Sequence, residues 1–273
     1  MNKKELNQIS NKLHNKLIEQ TKAMLFDFDE EVIHKLRVTY KKLRAFLRML
    51  SHQKVKENSI IISNKLKASF KLAGSIRDIQ IQQQRILKAV KNREIKKPTM
   101  YLFLLQKEMA LQKEKLLKIL TTKIIAANSK HTTAALPNRF SIKLFRGFLL
   151  QHWKNIDAIL LSKKLSDDDI HSIRKSIKDI LYNLKIYEKT KHGMLTNSIW
   201  KGKDEAYFSA LLTELGQFQD RFTGILFLNA KRINKLDKHS KAQINTIKKI
   251  WQKEKSTLKK TLLLRLKNDF TIV

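Results

Sequence analysis

Cysteine is absent from this 273-residue chain, which excludes a disulfide framework, a thiolate zinc site and a cysteine nucleophile. Proline occurs twice and glycine six times. That is too little turn chemistry for a β-sandwich, a barrel or a doubly wound sheet, whose tight turns and phosphate loops use glycine. An all-α fold remains. Acidic residues are scarce as well: 24 Asp and Glu stand against 57 Lys and Arg, a formal net charge of +33. Such an imbalance implies a polyanionic partner. At 42% hydrophobic the chain can bury one large core or two of ordinary size, which argues against disorder. No run of about 18 uncharged apolar residues occurs, and the stretch from Met1 to Leu17 lacks the apolar segment of a signal peptide. A soluble, unprocessed chain is expected, with the cytoplasm as default compartment.

Apolar residues recur at helical spacing almost throughout. Eight helices are predicted, over 4–26, 30–51, 57–94, 99–127, 138–162, 167–190, 203–236 and 239–268. Asp29 is a candidate N-cap, Pro98 and Pro137 precede the fourth and fifth helices, and Ser166 with Asp169 has the spacing of a capping box. Gly74 and Gly216 fall inside long helices, where a kink or break is expected. The segment 128–138 has loop composition and divides four helices from four, giving units 1–130 and 138–273.

The equal division points to an internal repeat. In the second helix His34, Arg37, Lys41 and Arg48 match His171, Arg174, Lys178 and Lys185 of the sixth, all at the offset 171 − 34 = 137. A second marker follows in each half: LAGSIRD at Leu72–Asp78 matches ELGQFQD at Glu214–Asp220, with glycine and aspartate both offset by 142. The halves read as tandem copies of one helical unit, related by pseudo-twofold symmetry.

On the second helix Ile33, Leu36, Tyr40, Leu43, Leu47 and Leu50 form an apolar stripe, and His34, Arg37, Lys41, Arg44 and Arg48 a cationic one beside it. On the sixth, Ile170, Ile173, Ile177, Ile180, Leu184 and Tyr187 face the core while His171, Arg174, Lys178 and Lys185 lie alongside. A solvated basic helix would carry acids at i+4, yet no Asp or Glu occurs between Ile33 and Leu50. Lys67 and Lys71 extend the first-half surface, where the second half has Ser209 and Thr213; Leu181 stands in place of Arg44. An arginine at Leu181 would restore the missing cation only if that position borders the basic surface. Asp78 and Asp220 are expected to anchor a neighbouring cation or cap backbone. Arg77 is matched by Gln219 and could serve either role.

HKLRVTYKKLRAFLRML and HSIRKSIKDILYNLKIY, each followed one helix later by its glycine and aspartate marker, resemble the two signature helices of the CHAD domain, the conserved histidine α-helical domain. The resemblance covers about residues 5–268. It implies two four-helix bundles around a basic central channel that binds inorganic polyphosphate. By motif position it carries the binding role to His34, Arg37, Lys41, Arg44, Lys67, Lys71, His171, Arg174 and Lys178; the stripe adds Arg48 and Lys185. The second half departs from the pattern at Leu181, Ser209, Thr213 and Gln219.

The physics of the ligand fits independently, because a bare phosphate chain needs only spaced cations, chiefly guanidinium forks. The two histidines could gain charge when phosphate binds. Nucleic acid is the alternative partner, bound non-specifically: most aromatics fall on core phases rather than on a stacking surface, and no helix-turn-helix, zinc-finger or basic-zipper pattern occurs. No enzymatic activity is expected. There is no Walker loop, His-Glu-x-x-His motif or His-Asp doublet, nor the Glu-x-Glu-x-Lys signature of the triphosphate tunnel domain that often accompanies CHAD domains. No cofactor or metal is expected, since His34 and His171 lie among cations, and no membrane partner. Association with polyphosphate granules is the expected extension of a cytoplasmic location.

Overall fold

The computed structural model describes residues 1–52, 62–162, 164–188 and 202–270. Among these the chain is all-α, in the order α1 Lys3–Asp27, α2 Glu30–Ser51, α3 Asn64–Arg93, α4 Thr99–Ile119, α5 Thr122–Ala135, α6 Ile142–Leu160, α7 Asp167–Glu188, α8 Glu205–Phe227, α9 Ala230–Ile233 and α10 Lys238–Phe270. The only β feature among them is an isolated bridge between Asn2 and Arg139.

Local chemistry sets the boundaries. The Asp29 side chain accepts from the backbone N–H groups of Glu31 and Val32 at the start of α2. At the start of α7 the Asp169 carboxylate accepts from the Ser166 N–H, and the Ser166 hydroxyl accepts from the Asp169 N–H. Both ends satisfy donors that a helix leaves unpaired. The α3 helix begins at Asn64, capped by Ser63, later than position 57; residues 53–61 lie outside the described residues.

Several expectations are revised. The fourth predicted helix is two, because Leu120 turns to extended backbone with its side chain buried and Thr121 caps α5 by accepting from the Ile124 N–H. The polar segment after Asn128 is helical to Ala135. Its composition misleads because its polar side chains are internal: Asn128 and Thr132 are buried, and Asn128 Oδ1 lies 3.3 Å from His14 Nε2 of α1. Gly74 and Gly216 break neither α3 nor α8. The seventh predicted helix instead parts after Phe227, where Asn229 caps the short α9.

Within the first half α1 packs on α2 and α5, and α3 on α2, α4 and α5; within the second, α7 packs on α6 and α8, and α10 on α6 and α8. Across the halves α2 meets α7, α3 meets α8 and α4 meets α10. The apolar stripes of α2 and α7 are fully buried along their length and belong to one continuous cluster. Each buried Leu or Ile there contributes about 1.5–3 kcal/mol. That packing fixes the rotation of both helices, so their cationic stripes, a quarter turn away, are held at the seam between the halves. A second cluster around Ile86, Tyr101, Ile247 and Trp251 joins α3, α4 and α10.

Candidate polyanion-binding site

Arg37 leaves α2 and lies on α3, where Nη1 donates to the Gly74 carbonyl oxygen at 2.8 Å and to Asp78 Oδ1 at 2.9 Å. A Cβ at Gly74 would stand 3.7 Å from the guanidinium. In the second half the Arg174 guanidinium also lies against α8, 3.6 Å from where a Cβ of Gly216 would be. At both positions a planar cation packs on the helix at a spacing that leaves ordinary van der Waals room for a Cβ.

The two aspartates are spent differently. Asp78 anchors Arg37. Asp220 favours the charge on Arg174 but makes its ion pair with Arg85 of α3, at 2.7 Å. Arg85 also donates to the Thr223 hydroxyl, so it ties the first half to the second. The sequence reading missed Arg85; its spacing of seven from Asp78 places it on the same helix face, and that was the available signal.

Lys41 and Lys178, matched across the repeat, are the most perturbed cations. Burial, then the charges of Arg37 and Arg174, pull the Lys41 ammonium down to about 8; Asp78 opposes this and Arg44 adds to it. Burial, Arg174 and Lys41 itself pull Lys178 down to about 8, against Asp220. By surface area Lys41 is exposed and Lys178 half-buried. Neither lysine has an ion-pair partner among the described residues.

Arg44 is exposed, its guanidinium 5.8 Å from the centre of the Tyr40 ring. Tyr40 stacks on Phe70, and Arg37 lies on Gly74, so advancing along α2 means retreating along α3. By that register Lys71 lies level with Lys41, and Lys67 with Arg44. Both lysines are exposed and unpaired among the described residues. His34 is exposed; burial, together with Arg77, Lys41 and Arg37, holds its imidazole below the usual value against Glu31. His171 pairs through Nδ1 with Gln219 Oε1 at 2.8 Å. Arg77, at the position matching Gln219, ion-pairs with Glu30 at 3.0 Å.

The ends of the stripes are neutralised within the chain. Arg48 makes a two-point contact with Asp179 of α7, Nε to Oδ2 at 3.0 Å and Nη2 to Oδ1 at 2.6 Å, and Asp179 is only 5% exposed. Lys185 pairs with Glu205 at 2.6 Å. Leu181 is 6% exposed and sits in the core cluster, away from the basic surface. The open cations are therefore Lys41, Arg44, Lys67, Lys71 and Lys178, flanked by the positioned guanidinia of Arg37 and Arg174. Among the described residues no group of three His, Asp or Glu is placed to hold a metal ion. A cavity of about 710 Å³, lined by Lys88 of α3, Asp220 and Arg221 of α8, and Lys253 and Glu254 of α10 among others, adjoins the cluster through Asp220.

An all-α chain whose repeated His/Arg/Lys helices meet at a seam is the class that this fold and cation cluster define. The CHAD domain family model matches residues 8–229, more than half of the chain, and the chain belongs to that family. Among solved structures it is similar to PptA from Streptomyces chartreusis, with a TM-score of 0.69 at 10% identity over 97% of this chain and 98% of that one. It is also similar to the CHAD domain from the plant Ricinus communis, with a TM-score of 0.70 at 15% identity over 93% and 86%. At these identities the likeness is one of fold. Comparison with curated proteins finds no match. No helix among the described residues is long and apolar enough to cross a membrane.

Proposed function

We propose that this chain is a binding module for inorganic polyphosphate, seated as an extended chain in a basic channel between the halves. The first half supplies Arg37, Lys41, Arg44, Lys67 and Lys71, and the second Arg174 and Lys178, with His34 and His171 at the margin. Arg48 and Lys185 brace helices and contact the ligand little. What carries the reading is the convergence of Lys41 and Lys178 with Arg37 and Arg174 while the nearby carboxylates are already engaged. Holding these lysines among neighbouring cations that depress them costs free energy in the unliganded protein, and a bound polyanion removes that cost. Each phosphate contact to a charged donor is worth about 1.5–3 kcal/mol, and release of counterions makes the affinity fall with salt.

The chain acts as a binder and not an enzyme, in the cytoplasm and at polyphosphate granules; the acids near the cluster serve as counterions to arginine. The deciding experiment is competition near physiological salt. Labelled long-chain polyphosphate is challenged with DNA, RNA and orthophosphate at equal phosphate charge. Polyphosphate is expected to hold against nucleic acid, because a bare chain fits closely spaced cations and a base-bearing strand is wider. Equal displacement by DNA would leave only non-specific attraction to a basic surface.

A further inference from the structure

The cavity of about 710 Å³ beside the cluster is walled by helices of both halves, and its open groups are cations. Lys88 of α3 and Lys253 of α10 are exposed and have no ion pair among the described residues. Arg221 of α8 pairs through Nε with Glu254 Oε2 at 2.6 Å, and its guanidinium carbon stands 5.8 Å from the centre of the buried Trp251 ring. Both contacts set its position before any ligand arrives. The two carboxylates of the wall are already engaged: Asp220 is held by Arg85 at 2.7 Å, and Glu254 is shared between Arg221 and Arg93. Two lysines and three arginines against two acids leave 5 − 2 = +3, so a polyanion meets a net positive wall.

The α3 helix joins this cavity to the cluster. Lys67, Lys71, Gly74, Asp78, Arg85 and Lys88 follow one another at spacings of 4, 3, 4, 7 and 3, which keeps them within about 100° of one another on one face. From Lys67 to Lys88, 88 − 67 = 21 residues, that face runs about 31 Å at the helical rise. Arg37 covers it at Gly74. No unpaired carboxylate interrupts it, because Asp78 is spent on Arg37 and Arg85 cancels Asp220 where α8 crosses. The stripe belongs to one copy of the repeat. At the offset of 142 that pairs Gly74 with Gly216 and Asp78 with Asp220, the cations Lys67, Lys71, Arg85 and Lys88 meet Ser209, Thr213, Phe227 and Ala230. Duplication accounts for the glycine and the aspartate and leaves the cations at both ends of α3 unaccounted for.

We propose that a polyphosphate chain seated in the cluster continues along α3 past Arg85 into this cavity, where Lys88, Arg221 and Lys253 hold its far end, so that the protein selects long chains over short ones. This extension rests on the polyphosphate seat proposed above and adds a second seat to it. Lys253 is no part of the repeated motif and lies beyond the residues that the CHAD model matches. A phosphoanhydride chain suits the connection, since it carries charge at every unit and no base that must pass the bridge between Arg85 and Asp220. Once one end is bound, the other is held at high effective concentration beside the second seat, so the two contributions multiply. Tripolyphosphate, with two phosphoanhydride links, is too short to occupy both.

The experiment titrates the full chain with tripolyphosphate and with long-chain polyphosphate near physiological salt. Lys88→Ala with Lys253→Ala tests the cavity and Lys41→Ala with Arg44→Ala the cluster. Lys16→Ala with Lys130→Ala removes equal charge from exposed positions on α1 and α5 that border neither. The cavity pair is expected to weaken long-chain binding at least about tenfold and to change tripolyphosphate affinity by less than about twofold. It should also lower the slope of log affinity against log salt for the long chain by up to about 2. The control pair should change long-chain affinity by less than about twofold, because exposed charges beyond a screening length contribute little. A cavity pair no weaker than the control would overturn the second seat; the central seat then stands if the cluster pair still loses affinity and falls if it does not. Equal loss of tripolyphosphate and long chain in the cavity pair would make the cavity an independent anion site and overturn the continuous path. Loss in the cavity pair with none in the cluster pair would overturn both the path and the central seat.

Discussion

Arg37 packs against Gly74 and donates to its carbonyl oxygen at 2.8 Å, and α3 runs unbroken through that glycine. The spacing bounds what else could fit. A Cβ at Gly74 would meet Arg37 at 3.7 Å, an ordinary van der Waals contact, whereas one at Gly224 would meet the Trp251 ring at 3.1 Å. Gly74→Ala is therefore expected to keep polyphosphate affinity and to stabilise the fold by up to about 1 kcal/mol, the helix-interior advantage of alanine. Gly74→Leu should displace Arg37 and weaken binding. Gly224→Ala is expected to destabilise by about 1–3 kcal/mol, because a buried indole cannot yield freely. Thermal melts with polyphosphate titrations check all three.

The ion pair between Arg48 and Asp179 separates bracing from binding. Asp179 is almost fully buried, while the Arg48 side chain is 36% exposed. Asp179→Ala is expected to cost somewhat less than the roughly 3–5 kcal/mol seen when one partner of a fully buried pair is removed, because Arg48 can rehydrate. Replacing both, Arg48→Met with Asp179→Leu, should restore most of the stability. It should also leave polyphosphate affinity within about twofold, since Arg48 was never available to phosphate. Loss of affinity in that double variant, with a normal melt, would return Arg48 to the binding surface.

The depressed lysines give the two observables opposite pH dependences. Lys41 and Lys178 have folded values of about 8, below the ordinary lysine value of about 10.4, so between these limits the unfolded chain holds more protons. Their contribution to stability therefore rises with pH across that window. Polyphosphate binding favours the protonated amines, so affinity should be level below pH of about 7 and fall between about 8 and 10, with proton uptake on binding near pH 8. Calorimetry in buffers of different ionisation enthalpy measures the uptake. Affinity that rises from pH 7 to 9 would be incompatible with these lysines contacting phosphate.

Where periodicity alone decides, the sequence is readable to the residue: the α2 and α7 stripes, the Asp29 cap and the Ser166 box all follow from spacing. The glycine markers fall beside the matched arginines, Arg37 at Gly74 and Arg174 at Gly216, but the aspartates do not pair alike. What eluded it depends on partners distant in the chain. Nothing in NSKHTTAALPN reveals that Asn128 meets His14, so a buried polar helix face looks like a loop. Arg48 is indistinguishable in pattern from Lys41 until α7 supplies Asp179. Leu181 sits at a cationic register position, yet it is buried in the core cluster.

That burial sharpens the comparison of the two halves, whose formal charges are similar at 29 − 11 = +18 for residues 1–136 and 28 − 13 = +15 for 137–273. If total charge governed affinity, equivalent double substitutions would cost about the same. Lys41 and Arg44 are both open, whereas Lys185 is held by Glu205. Lys41→Ala with Arg44→Ala is thus expected to weaken polyphosphate binding more than Lys178→Ala with Lys185→Ala. The first pair should also lower the slope of log affinity against log salt by up to about 2 and the second by up to about 1. Leu181→Arg, which sequence register alone would offer as a restored cation, places a charge in the core and is expected to lower the melting temperature without tightening binding. Equal losses from the two double variants, or a stable Leu181→Arg that binds more tightly, would mean that the second half presents its cations as fully as the first.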